Sequence, residues 1–369
     1  MTRQAFVHRI AMRAPDDVAS LEAMIASGAI RAPDVVAILG KTEGNGCVND
    51  FTRGFAHRAL KDLLRRHLPA DEVEAVCIVM SGGTEGALSP HIVVFERRDV
   101  AGAPEQGALA LGRARTADLP FEHIGRLEQV DLVADGVAAA MKDAGIAEPR
   151  DVHFVQIKCP LLTLDRVAEI EARGLDAVTR DALKSMALSR AASSLGIGVA
   201  LGEIDRARLT DAAIGRDWTL FSSRASASAG IELTDHEIVV LGAAPGWRGP
   251  LRIAHGVMGD SLDVEPVRAA LARLGLASPG QLAPPDRSRL VAMLAKAEAG
   301  SSGRLRGHRH TMLDDSDISA TRHARGFVAG ALAGLIGHAE LYVSGGAEHQ
   351  GPDGGGPVAV IATAARNVP

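Results

Sequence analysis

Aromatic side chains are scarce in this sequence, with one tyrosine, two tryptophans and eight phenylalanines among 369 residues. A surface that grips single-stranded nucleic acid needs rings for the bases to stack on. It also needs a basic excess to neutralise phosphates, whereas the formal net charge here is −5. No nucleic-acid partner is expected. Cysteine is equally sparse, and Cys47, Cys77 and Cys159 suit a reducing compartment without a disulfide framework. Long apolar runs are missing too. The most apolar stretch, "GFVAGALAGLIG" (326–337), has 12 residues, against the about 20 that cross a bilayer. It reads as a buried helix of small residues, and no membrane partner is expected. The opening "MTRQAFVHRIAMRAPDD" breaks its apolar run with Arg, His and Asp, which is not a secretory pattern. The expected location is cytoplasmic.

What is present is Ala, Val, Leu, Ile and 40 glycines, in a chain long enough for two or three cores. β-Branched runs mark strands: "DVVAIL" (34–39), "AVCIVM" (75–80), "HIVVF" (91–95), "VHFVQI" (152–157), "WTLFSS" (218–223), "HEIVVLG" (236–242), "AELYV" (339–343) and "VAVIAT" (358–363). Helical stretches lie between them, including "TRGFAHRALKDLLRRHL", "SMALSRAASSLGIGVALGEI" and "TRHARGFVAGALAGLIG". Two segments rich in Gly, Pro and Ala, "AGAPEQGALALGRARTADLP" and "GAAPGWRGPLRIAHG", read as linkers.

Cutting at the linkers leaves three pieces, 1–104, 112–249 and 255–369, with the same order of features in each. A run ending in lysine comes first: "AILGK" (Lys41), "FVQIK" (Lys158) and "VAMLAK" (Lys296), the last readable as strand or helix. An arginine at or near a helix start follows: Arg53, Arg190 and Arg322, at 12, 32 and 26 residues from its lysine. Next a strand runs into serine beside small residues: "MSGGTEG" (Ser81, Gly82), "RASASAG" and "VSGGAEH" (Ser344, Gly345). "RASASAG" offers both Ser226 and Ser228; aligning Ser226-Ala227 with Ser81-Gly82 and Ser344-Gly345 favours Ser226. A closing apolar strand completes each piece.

Isolated Lys, Arg and Ser residues are surface decoration in most chains, but three repetitions in matching context are not. Glycine beside serine lets a ligand approach the backbone, whose N–H groups can hold a carbonyl oxygen or oxyanion. A lysine buried at a strand end, with arginines nearby, loses part of its basicity and can activate a serine as nucleophile. Arginine supplies a planar, permanently charged fork. If the three pieces converge, these groups form one site for a small, flat, carbonyl-rich ring of weak acidity.

The stretches "GKTEGNGCVNDFTRGFA", "MSGGTEG", "QIKCP", "SRASASAGIEL" and "VSGGAEHQGPDGGGP" together resemble the cyanuric acid hydrolase/barbiturase family over essentially the whole chain. The resemblance implies an α/β fold of three pseudo-symmetric repeat units around a central β-barrel-like core, with one active site on the pseudo-threefold axis. It implies hydrolytic opening of cyanuric acid to carboxybiuret, which loses CO₂ to give biuret. It assigns Ser226 and Lys158 as the catalytic pair. Lys41 with Ser81, and Lys296 with Ser344, bind the other ring edges, and Arg53, Arg190 and Arg322 clamp carbonyl oxygens. It also implies a structural Mg²⁺ or Ca²⁺ held by Glu298 with Ala347, Gln350, Gly351, Pro352 and Gly355, no organic cofactor, and a homotetramer. The alternatives are barbiturase activity, opening barbituric acid, and a non-catalytic small-molecule binder that would keep the arginines without needing a weakly basic lysine. Three Ser-small turns favour the symmetric ring.

Other signals fail on spacing. "ILGKTEGNG" has Val35 where a phosphate-binding loop needs glycine. "GIGVALG" lacks the dinucleotide spacing. The histidines of "RGHRHTMLDDSD" lack a zinc-binding arrangement and read as a solvated loop. Cys47 and Cys159 read as packing residues.

Overall fold

Runs of Val, Ile and Leu form the central strands of three sheets in the computed structural model, which describes residues 1–364. The last five positions of the third expected unit, 365–369, lie outside the described residues. The first sheet is built from β1 (Thr2–Ala11), helix α1 (Ala19–Ala26), β2 (Val35–Thr42), α2 (Phe51–Leu64), β3 (Cys77–Gly82) and β4 (His91–Val100). Its strand order is β3-β2-β4-β1. The second runs β5 (Leu109–Arg115), α3 (Leu127–Ala144), β6 (Val152–Pro160), α4 (Ala182–Ala200), β7 (Ala225–Gly230) and β8 (Glu237–Ala243), ordered β7-β6-β8-β5. The third runs β9 (Leu251–Met258), α5 (Glu265–Arg273), β10 (Leu290–Ala297), α6 (Ala320–Ile336), β11 (Tyr342–Gly345) and β12 (Gly356–Thr363), ordered β11-β10-β12-β9. In each, one parallel pair is joined through the longer helix, and the remaining pairs are antiparallel. Each central strand also carries a bulge at its start, at Val35/Ala37, Val152/Phe154 and Leu290/Ala292.

The two-residue period of a strand decides where each side chain goes. On β2, Ala37 and Leu39 face a core shared by all three sheets, with Ile157 and Val239 from the second and Leu294 and Ile361 from the third. Between them, Ile38 faces α2, packing in a separate cluster with Ala56, Leu60 and Leu64. Each sheet is thus covered on both sides, which is why its central strands are mostly apolar rather than alternating, with polar residues such as Gln156 and the three lysines set among them. No helix among the described residues is long and apolar enough to cross a membrane.

Four expectations need correction. The β-barrel-like core is instead three open sheets, with no closed barrel among the described residues. They meet through the side chains of the shared core, the two-residue strand Trp247–Arg248 crosses over to pair with β1, and Ser222 bridges to Gln350. The supposed linkers contain edge strands: β5 starts at Leu109, before position 112, and β9 at Leu251. Their Gly and Arg content disguised them, yet an edge strand tolerates such residues because one side lacks a partner. "WTLFSS" is not a strand. Trp218 stacks on His349, and Ser222 and Ser223 both bond Glu203, so the chain straightens only at Ala225. Finally, α6 is not buried all round; Val328, Leu332 and Ile336 face the core while Phe327 is 43% exposed.

Candidate active site

The parallel pairs fix the register that matters. Lys41 lies opposite Ser81, Lys296 opposite Ser344, and Lys158 opposite Ser228. The equivalence of Ser226 with Ser81 and Ser344 is therefore wrong by one side-chain repeat. Ser226 lies opposite Gln156 and donates to its Oε1 at 2.7 Å, fully buried. Ala227, expected to contact substrate, instead spends its N–H on Gln350 and its carbonyl on Lys296. "SASAG" alternates Ser and Ala, so the sequence alone admitted either frame; strand pairing selects Ser228-Ala229.

The three serines open onto one cleft of about 230 Å³, lined by Ser81-Gly82, Ser228-Ala229 and Ser344-Gly345, with Arg53, Arg190 and Arg322 around it. Gly82 is required there, because a Cβ would lie 1.8 Å from Asp50 Oδ2. That carboxylate caps α2, accepting from the N–H groups of Thr52 and Arg53. Capping presents Arg53 from the first turn, where its guanidinium donates to the carbonyls of Cys47 and Ala229. Arg322 Nε is buried with no partner, and Arg53 Nε is buried with no hydrogen bond, its nearest acceptor being Asp50 Oδ2 at 3.6 Å. In a folded chain such donors are almost always satisfied, so their orphan state in the cleft marks where a ligand's acceptors belong.

Behind the serines lie the three lysines, each at most 1% exposed. Burial, with Arg325 adding to it, holds Lys41 well below its ordinary basicity. Burial and Arg190 bring Lys296 down to about 7. Lys41 Nζ donates to Ser81 Oγ at 3.1 Å, and Lys296 Nζ to Ser344 Oγ at 3.2 Å. The third pair differs. Lys158 Nζ meets Glu232 Oε1 at 2.9 Å, and Ser228 Oγ is buried with no partner. The Tyr342 hydroxyl is also buried and unpartnered; burial pushes it above the usual phenol range, and the neighbouring Ser228 pulls the other way.

A carboxylate stands four residues after each aligned serine: Glu85, Glu232 and Glu348. Glu85 receives Arg325 on both oxygens, and Glu348 receives Arg190 at 2.6 and 2.8 Å. Arg325, 3% exposed, and these glutamates escaped the sequence reading. The signal was there: the spacing Ser-x-x-x-Glu holds in all three pieces only if Ser228, not Ser226, is the second serine.

The tail segment 347–355 packs against the turn that follows Lys296. Ser301 N–H donates to Asp353, and Gly300 lies against Gly354. Glu298 on that turn accepts from Thr321 Oγ at 3.1 Å, and burial together with Glu348 raises its carboxyl above the usual range. No cluster of three His, Cys, Asp or Glu side chains suited to a metal exists among the described residues.

Comparison with known proteins places this geometry. The model of a family described as amidohydrolase ring-opening protein matches residues 6–363. The cyanuric acid amidohydrolase of Bradyrhizobium sp. strain ORS 375 is 62% identical over 363 residues, 97% of this chain and 98% of that protein. That of Azorhizobium caulinodans is 63% identical over 359 residues, with the same coverage. The crystal structure of the A. caulinodans cyanuric acid hydrolase superposes with a TM-score of 0.91 at 60% identity, covering 98% of this chain and 99% of its own. A second cyanuric acid hydrolase structure gives 0.93 at 48% identity, covering 99% and 100%. With a matched model spanning nearly the whole chain and relatives sharing more than half its residues, the chain belongs to the ring-opening amidohydrolase family.

Proposed function

We propose that this enzyme opens the ring of cyanuric acid with Ser228 as nucleophile and Lys158 as its base. The observation that carries the reading is the Ser228 hydroxyl, buried and unbonded in an arginine-ringed cleft, one strand across from a buried lysine. The repeated strand order and bulge support three pseudo-symmetric units, one per sheet, sharing this single site. The cyanuric acid amidohydrolases at 62 and 63% identity support the substrate.

The cleft is small and its donors are fixed, as befits one flat ring. Arg53, Arg190 and Arg322 meet carbonyl oxygens around the ring edge, drawing electron density from the carbon to be attacked. In its amine form Lys158 takes the Ser228 proton as Oγ bonds to that carbon. The tetrahedral oxyanion collapses by breaking the C–N bond, and the leaving nitrogen takes the proton back from Lys158. Water then adds to the acyl-serine, again giving a proton to Lys158, and Ser228 departs with it. Carboxybiuret is released and loses CO₂ to become biuret. Lys41–Ser81 and Lys296–Ser344 hold the two other edges as donors.

A hard cation takes oxygen ligands, and the buried Glu298 carboxylate beside Glu348 would hold one together with main-chain carbonyls among Ala347, Gln350, Gly351, Pro352 and Gly355. Bound there, it would supply positive charge that offsets the adjacent Glu298 and Glu348 and stiffens the turn after Ser344.

The test is turnover of cyanuric acid and barbituric acid side by side, following ultraviolet absorbance and product. Loss of cyanuric acid with formation of biuret is expected. Loss of barbituric acid alone would move the substrate to the pyrimidine ring, and loss of neither would leave a binding protein.

A further inference from the structure

Three Ser–Lys pairs face one cleft, and a single difference in hydrogen bonding separates one pair from the other two. Lys41 and Lys296 are each hydrogen-bonded to their own serine in the resting site. Lys158 makes no such bond. Its ammonium is drawn to Glu232 at 2.9 Å and to the Met80 carbonyl at 3.5 Å, and Ser228 is left free.

The cause lies in what each glutamate finds opposite it. Glu85 and Glu348 are both occupied by a buried arginine, Arg325 and Arg190. Glu232 has no arginine to itself. Arg53 on α2 spends both terminal guanidinium nitrogens on the Ala229 and Cys47 carbonyls, and its Nε lies 3.6 Å from the Asp50 carboxylate. The other titratable α2 side chain that shares a cavity with Glu232 is His57, which burial keeps neutral to about pH 4. Arg166, also near Glu232, donates to the carbonyls of Leu161, Ile231 and Leu233, and Lys158 is the cation in contact with the carboxylate.

We propose that Glu232 is a positioning residue that singles out the Lys158–Ser228 pair, anchoring the lysine in the resting site and leaving the Ser228 hydroxyl for substrate, where the two equivalent glutamates hold arginines. The inference rests on the proposed roles of Ser228 and Lys158. Without the carboxylate, Lys158 loses that anchor, and the advantage of the second pair is lost. The groups facing Lys158 are Glu232 after β7, Glu237 opposite it on β8, and Arg53, His57 and Lys61 from α2. Only Glu232 is in direct contact with its ammonium.

Steady-state kinetics of Glu232→Gln on the full-length enzyme with cyanuric acid test this. We expect kcat to fall at least tenfold with KM changed less than threefold. We also expect the acid limb of kcat/KM to move at least one pH unit lower, because a buried ammonium without its counter-charge gives up its proton more readily. Glu232→Asp keeps the charge with a shorter reach, so it should lower kcat while leaving the limb in place; it carries the test if the glutamine variant folds poorly. Glu85→Gln, by contrast, should act on KM. Wild-type kcat and an unmoved limb in Glu232→Gln would overturn the role of Glu232. Full activity in Ser228→Ala would instead overturn the choice of pair, which separates the two failures.

Discussion

The register at Ser226 and Ser228 yields a double dissociation that one alanine at each position exposes. Ser228 Oγ has no well-formed hydrogen bond, its polar neighbour being the Tyr342 hydroxyl, so Ser228→Ala should leave the melting temperature within about 1 °C of wild type. It removes the nucleophile, whose loss costs roughly 10⁶ in kcat in a well-studied serine protease, and here at least about 10³ is expected. Ser226→Ala has the opposite signature. It leaves Gln156 Oε1 buried without the donor now 2.7 Å away, which costs about 1–3 kcal/mol. With an unfolding entropy of about 2.1 cal/mol/K per residue, a chain of 369 residues melts roughly 1–4 °C lower. Turnover should persist, because Ser226 does not reach the cleft. Calorimetry and a biuret assay on the two variants suffice. An inactive Ser226→Ala beside an active Ser228→Ala would refute the register argument, and full activity in both would refute the serine mechanism.

Three further outcomes follow. Arg190→Met should strand Glu348 beside Lys296, lowering stability by about 3–5 kcal/mol, as breaking a buried ion pair does, and raising KM; denaturant melts and kinetics check both. If a hard cation occupies the tail, EDTA should lower the melting temperature and Mg²⁺ or Ca²⁺ should restore it, while Glu298→Ala should melt lower and ignore both treatments. Acid should destabilise the fold early: burial holds His57, His91, His153, His236 and His338 neutral to about 4, and His255 to about 3. An unfolded histidine takes its proton near pH 6.5. The unfolded chain therefore binds more protons across the window from 6.5 down to about 4, and stability drains away as pH falls through it, by up to roughly 1.4 kcal/mol per unit for each group. Urea midpoints measured from pH 7 to 4 should fall steadily; a flat profile above pH 5 would refute the assignment.

Much of this protein was legible before any fold was known. The interior strands announce themselves because burial on both faces makes "DVVAIL", "VHFVQI" and "VAVIAT" rich in β-branched and other apolar residues. The long helices carry their own caps, as Asp50 and Asp181 show. The triplication of Lys, Arg and Ser is visible as order along the chain, and seven of the substrate-site residues so named do line one cleft. Edge strands β5 and β9 were hidden, since a strand with one free side needs no continuous apolar run.

What local sequence could not decide is which atoms meet. "SASAG" is symmetric under a two-residue slip, and only hydrogen bonding to β6 sets Ser228 against Lys158. No spacing rule joins Arg190 to Glu348 or Arg325 to Glu85, at 158 and 240 residues' separation. Nor could composition show that Glu232, identical in kind to Glu85 and Glu348, holds a lysine where they hold arginines. Residue types and their order determined that three like constellations exist. Long-range contact geometry, which short-range pattern does not encode, decided that they converge and made one of them different.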